Sequence, residues 1–210
     1  MIQTAQGSID RSISIDGHPL TSAQDEQEAN RIRNMTSDLT QQRRLQQARK
    51  KEEEQCKELF KMIPEAFIFS FAGNENNLIK LNYTPNPDFR PPSREAKVFH
   101  ELQGEMWVEP TQRRLVRMRG QLIADVKFGG GLLGYLQKGG HFDVKQDEIS
   151  PRHWELTFLD VQIQGKALLL KTIAIQQKEY RTNFRPVPSD LSLAQAAEML
   201  SKPLILAANR

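Results

Sequence analysis

Between Leu115 and Phe128 the chain alternates. Val116, Met118, Leu122, Ala124, Val126 and Phe128 take the even positions, with Gly120 among them. The odd positions are mostly charged or polar, Leu115 and Ile123 excepted. Side chains alternate across a strand with period two, so this pattern predicts a long strand with one wet face and one buried or ligand-facing face. Val98 to Glu109 alternates less cleanly, with Val98, Leu102, Met106 and Val108 sharing a face. Pro110-Thr111-Gln112 supplies a turn between the two, its first residue lacking a backbone donor. The expectation is a long antiparallel hairpin that the rest of the chain extends or covers.

The same reading yields further strands. Arg11 to Ile15 alternates into an Asp16-Gly17 turn before His18-Pro19-Leu20. Phe67, Phe69 and Phe71 lead through Gly73 to Asn77 into Leu78 to Thr84, a second hairpin. Pro85 to Pro92 is too proline-rich for a central strand, and Ser93 to Ala96 fits one helical turn. After the glycine-rich Gly129 to Gly140, His141 to Ile149 alternates weakly through Phe142 and Val144. In His153 to Ile163 the apolar phase slips from Trp154, Leu156, Phe158 to Leu159, Val161, Ile163, which predicts a β-bulge. Ala167 to Glu179 is the last strand.

Two stretches read as helical. From Ser22 to Ile63 the residues are mainly Gln, Glu, Arg, Lys and Ala, with a break at Asn34 to Asp38. Helices are expected over Ser22 to Arg33, with Thr21 or Ser22 as cap and Asp25 as box partner, and over Leu39 to Met62, with Pro64 as the stop. Near the C-terminus Ser192 caps a helix over 192–201 with Gln195 in the box position. Leu193, Ala196, Ala197 and Leu200 form its apolar face, and Pro203 is its stop. The sum is one α+β domain over 1–210: a curved antiparallel sheet over 67–180, a long polar helical insert over 22–63 and a C-terminal helix.

Composition narrows the function classes. A formal net charge of +3 spread over interspersed charges makes no nucleic-acid footprint. The single Cys56 excludes an intramolecular disulfide framework and any multi-cysteine metal site. No run approaches the roughly 20 apolar residues of a membrane span, so the protein is expected to be peripheral to a membrane at most. The start, Met1 to Gly7, carries no secretory pattern and reads as the trimmed end of a longer chain.

Candidate chemistry is thin. Gly129, Gly131 and Gly134 match G-x-G-x-x-G after a strand, but Lys138-Gly139-Gly140 leaves no room for the helix whose N-terminus would take a pyrophosphate. The glycines read instead as a packed or flexible connection, or as a flap carrying Leu132, Leu133, Tyr135 and Leu136 over the apolar sheet face. His18, His100, His141 and His153 show no metal-ligand spacing, although His141 and His153 lie on neighbouring strands and could meet. Cys56 sits among glutamates, which dulls it as a nucleophile. No cofactor and no catalytic constellation is expected. Arg113, Arg117, Arg119 and Lys127 stripe the outer face of the main strand, either to meet anionic lipid heads or an acidic partner, or to keep the sheet soluble.

The segment Gly104-Glu105-Met106-Trp107-Val108-Glu109-Pro110-Thr111-Gln112-Arg113-Arg114-Leu115-Val116-Arg117-Met118-Arg119-Gly120 resembles the strand-turn-strand signature of the bacterial lipoprotein-localisation-factor superfamily, the LolA/LolB-like proteins. The similarity is best from about Phe67 to Tyr180. It implies a half-barrel whose concave face is lidded by helices, an apolar cavity for acyl chains, and a periplasmic or cell-envelope address. The chain departs from the carriers in its 22–63 insert, in its glycine-rich link and in having no lipobox cysteine. On this resemblance the expected role is a non-enzymatic binding protein for a lipid, an acyl chain or a lipidated partner. Its site residues would be Met106, Val108, Val116, Met118, Leu122, Val126, Phe128, Phe142 and Val144. The same face could instead be a filled core. The other open reading is an envelope structural or interaction module that docks through the 22–63 helices.

Overall fold

The computed structural model describes residues 1–37, 39–167 and 171–201. The described residues fall into two compact units, one within 1–57 and 185–201 and the other within 58–184.

The first unit opens with two short hairpins, β1 (Ile2–Thr4) with β2 (Gly7–Ile9) and β3 (Ser14–Ile15) with β4 (His18–Pro19). The first was not legible in the sequence: three-residue strands are too short to show a period. The second turns at Asp16 and Gly17, both at positive φ, as a two-residue hairpin loop demands. Helix α1 (Ser22–Ser37) follows, running through Asn34 to Ser37 where a break was expected; Asp38 lies outside the described residues. Its cap is Thr21, whose hydroxyl accepts from the Gln24 N–H at 3.4 Å while Gln24 Oε1 accepts from the Thr21 N–H at 2.9 Å. The box partner is therefore Gln24, not Asp25.

Helix α2 (Leu39–Ala66) starts in this unit and its end, from Glu58, belongs to the second. α3 (Leu193–Ser201) has the expected Ser192–Gln195 box, and Pro203 lies outside the described residues. Its predicted apolar face does the packing: Leu193, Ala196 and Ala197 join Ile9 and Ile32 in a small buried core flanked by Leu200.

The second unit is one open antiparallel sheet with α2's end and a 3-10 helix (Glu95–Glu101) packed on one face. Its strands are β5 (Phe67–Glu75), β6 (Leu78–Pro85), β7 (Leu102–Glu109), β8 (Arg114–Leu122), β9 (Val126–Phe128), β10 (Gly134–Leu136), β11 (His141–Ser150), β12 (His153–Ala167) and β13 (Lys171–Tyr180). They are ordered β5-β6-β7-β8-β11-β12-β10-β9, with β13 also paired to β12. The α+β class with a large antiparallel sheet stands as read. The expected slip in β12 is a register shift that leaves Thr157 without a partner in β11, between Phe158 opposite Lys145 and Leu156 opposite Gln146.

Three expectations are corrected. The main strand does not run from Leu115 to Phe128. Ile123 interrupts the alternation and gives its N–H to Glu101 O at 2.8 Å, Asp125 accepts the Lys138 N–H at 2.8 Å, and Val126 begins a new strand paired with β10. The hairpin begins at Leu102 rather than Val98, which lies in the 3-10 helix. Pro64 does not stop α2, because only two residues follow it and its missing N–H removes one bond. The helix end is closed from the proline-rich link instead: Asn86 gives its N–H to Ala66 O at 2.9 Å and its side-chain amide to Glu65 O at 2.8 Å.

Candidate functional site

Residues directly opposite one another in a ladder share a face, so the pairings sort the side chains of the second unit. One face carries Phe69, Tyr83, Gly104, Gly120, Phe142 and Val161 in a single row across six strands. The next row on the same face is Phe71, Leu81, Met106, Met118, Val144 and Leu159. This is the face that the sequence pattern marked as apolar.

Its two ends differ in how they are filled. Towards α2 and the 3-10 helix, Phe67 packs edge-on against Tyr83 (4.7 Å between ring centroids) and Phe99 (5.3 Å), and Phe89 lies 6.2 Å from Phe99. Gly104 and Gly120 leave room for the Tyr83 ring, which is 1% exposed. A Cβ on Gly120 would stand 2.3 Å from the Tyr83 hydroxyl, and one on Gly104 would stand 2.0 Å from Arg119 O. The Tyr83 hydroxyl donates to Arg119 O at 3.0 Å, and burial pushes its phenol pKa up. Met106, Met118, Leu122 and Val126 complete this core, with Val108, Phe128 and Phe142 packed against it.

Towards the Pro110 to Arg113 turn the same face opens. A cleft of about 420 Å³ is floored by Leu115, Val116, Met118, Phe142 and Val144, with Phe60 of α2 on its rim at 53% exposed. Of the nine expected ligand residues, Val116, Met118, Phe142 and Val144 line this cleft, Val116 and Met118 as buried side chains at its base and Met118 shared with the packed core, while Met106, Leu122 and Val126 belong to that core alone. Cavity and filled core were posed as alternatives for one face, and each occupies part of it.

The expected flap is split. Tyr135 and Leu136 are tied into β10 between β9 and β12, and Leu136 packs on the core, whereas Leu132 and Leu133 sit in an exposed turn, Leu132 at 71%. Gly134 opens a strand and no helix follows the glycines, so the dinucleotide motif has no anion-binding end here. His141 and His153 fall at opposite ends of the β11–β12 hairpin and do not meet. Among the described residues no group of three or more His, Cys, Asp or Glu side chains could hold a metal ion.

The basic stripe is also divided. Arg117 and Arg119 lie on the outer face, where Arg117 pairs with Asp143 (2.5 and 2.8 Å) and Arg119 with Glu105. Lys80 pairs with Glu105 at 2.8 Å. Desolvation works against ionisation at Glu105, yet its bonds to Lys80 and Arg119 hold its carboxyl below the usual range. Trp107, 4% exposed, lies beneath Lys80, Arg117 and Arg119 at 5.1 to 5.3 Å and donates its indole N–H to Glu75 at 3.0 Å. Arg113 instead takes positive φ in the turn and lines the cleft beside Arg114. Sequence reasoning missed Phe60 and Arg114 as cleft residues. Phe60's helical phase says nothing of which strand its ring meets, and the shift at Val116, which faces no partner in β7, re-aims the residues before it.

Comparison with known protein families, characterised proteins and solved structures finds no match to this chain.

Proposed function

We propose that this protein is a non-enzymatic carrier or receptor that holds an acyl chain, free or on a lipidated partner, in the cleft of its second unit. The sheet would curve around that chain as a half-barrel, and the protein would act in the bacterial cell envelope. One observation carries the reading: an apolar sheet face that is densely filled at one end is left open at the other, floored by Val116, Met118, Phe142 and Val144. A cleft of about 420 Å³ lies within the roughly 300–1,000 Å³ common for small-ligand sites. Burying apolar ligand surface there would supply binding energy at roughly 25 cal/mol per Å² before the costs of association.

The test is native mass spectrometry on protein purified without detergent, followed by titration of the stripped protein with a fluorescent fatty acid. Saturable uptake in the wild type, lost when Val144→Trp fills the cleft, supports the proposal. Wild-type protein that neither carries nor takes up any acyl chain would sink it.

A further inference from the structure

The mouth of the cleft adds a charge requirement to that reading, on which this inference rests. Gln112, Arg113, Arg114 and Arg117 line the cleft together with its apolar residues. Arg117 is committed to Asp143 on the outer face. Arg113 and Arg114 are not: neither takes part in any ion pair among the described residues.

The nearby carboxylates are turned elsewhere. Glu109 is opposite Arg114 in the ladder, yet it accepts from the N–H groups of Thr111 (3.0 Å) and Gln112 (2.5 Å). Glu148 accepts from Gln112 (3.2 Å) and from the Arg152 N–H (2.6 Å). Arg114 is held in place without being neutralised, because it donates to Gln146 Oε1 at 2.8 Å and lies 5.5 Å over the Trp154 ring. Arg113 is fixed at its backbone by the turn, at φ 52°. Two guanidinium groups with spare donors therefore border a greasy floor.

We infer that the cleft takes a single-chain anionic amphiphile, with the chain on Val116, Met118, Phe142 and Val144 and the head on Arg113 and Arg114. A planar guanidinium fork suits a carboxylate or a phosphate equally, and each such bond is charge-assisted. The head is thus defined by charge, and a fatty acid and a lysophospholipid are both candidate sources.

Calorimetry at neutral pH on the delipidated full chain separates the outcomes, using laurate, lauroyl lysophosphatidic acid, dodecanol and inorganic phosphate as probes. Laurate or the lysophospholipid should bind about tenfold more tightly than dodecanol, and the double variant Arg113→Gln/Arg114→Gln should erase that margin while leaving dodecanol unchanged. The better of the two anionic probes identifies the head. Both arginines are exposed, so the double variant should fold, which its circular dichroism checks. Equal affinity for laurate, lysophospholipid and dodecanol, unmoved by the double variant, overturns the head-group inference and leaves the acyl reading standing. Failure of all three chains to bind removes both. Phosphate binding as tightly as laurate also overturns it, because the floor would then contribute nothing.

Discussion

The two ends of the apolar sheet face are made of similar residues and are finished differently. At the α2 end, aromatic rings from β5, β6, the 85–92 link and the 3-10 helix interlock over paired glycines. At the turn end, Leu115 of β8 and Phe142 and Val144 of β11 stand half-buried beside the buried Val116 and Met118, with one helix residue, Phe60, at the rim. Hydrophobic character therefore does not distinguish core from cleft. What distinguishes them is whether another element of the unit reaches the face. The packed end should respond to substitution in stability, and the open end should respond in binding.

The largest effect is expected at the packed end. Tyr83→Ala removes a ring that touches Phe67 and spans both glycines, and should cost roughly 3–5 kcal/mol, as large-to-small changes in a close-packed core do. Chemical denaturation of the variant, with apolar probe binding followed in parallel, reads both quantities. A loss below about 1 kcal/mol would mean that this end is not close-packed, and the contrast would fail.

Gly104→Ala should come next. Its new methyl would sit against the Arg119 carbonyl, the Tyr83 hydroxyl and the Gly120 Cα, and two of those three are backbone atoms that cannot swing away. Overpacking of this kind costs typically 1–3 kcal/mol. Gly120→Ala meets only side-chain ends, Tyr83 and Phe142, so the structure ranks it as the milder change. A reversal of that order in thermal unfolding would show that the Tyr83 ring is the immovable part.

Much of this contrast was legible in the sequence, and the unread remainder has physical reasons. Alternation in 102–122 and 141–163 located the strands, the bulge and the face, because side-chain period is a local property. The capping boxes were visible for the same reason, although the first was assigned one residue late. The division into two units was not legible, since nothing local marks Lys57 and Glu58 within one continuous helix. Nor was the break after Leu122, which depends on Glu101 and Gly140 arriving from elsewhere to take its hydrogen bonds. Which half of the face stays open depends on where Phe67, Phe89 and Phe99 cluster. Pattern along one strand cannot encode that.

The outer face of the packed end sharpens the contrast through pH. Glu105 joins Lys80 and Arg119 above Trp107, and those bonds hold its carboxyl below the ordinary range. A carboxylate depressed in the folded state contributes stability that is present above its unfolded pKa and is lost as pH falls through the folded one. Stability should therefore drop on acidification below the usual carboxylate range, and Glu105→Gln should flatten that limb at a cost of about 1 kcal/mol near neutral pH, partial exposure limiting the gain. An unchanged acid limb in the variant would assign the acid sensitivity to other carboxylates.

The smallest stability effect is expected at Val144, and it is the most informative one. Val144 lies in the same ladder row as buried Met106 and Met118, so by sequence pattern the three are equivalent. By position they are not: Met106 is inside the core cluster, while Val144 is half-buried and borders the cleft. Val144→Ala removes two methyl groups already partly in contact with water and should cost about 0.5–1 kcal/mol, whereas Met106→Ala should cost roughly 2–5 kcal/mol. If the cleft holds an acyl chain as proposed, binding should weaken several-fold in Val144→Ala despite its small stability cost, because those methyl groups line the cleft. Equal destabilisation by the two substitutions would mean that the open end is covered in solution, and the cleft would then be a seam between packed elements rather than a place for a ligand.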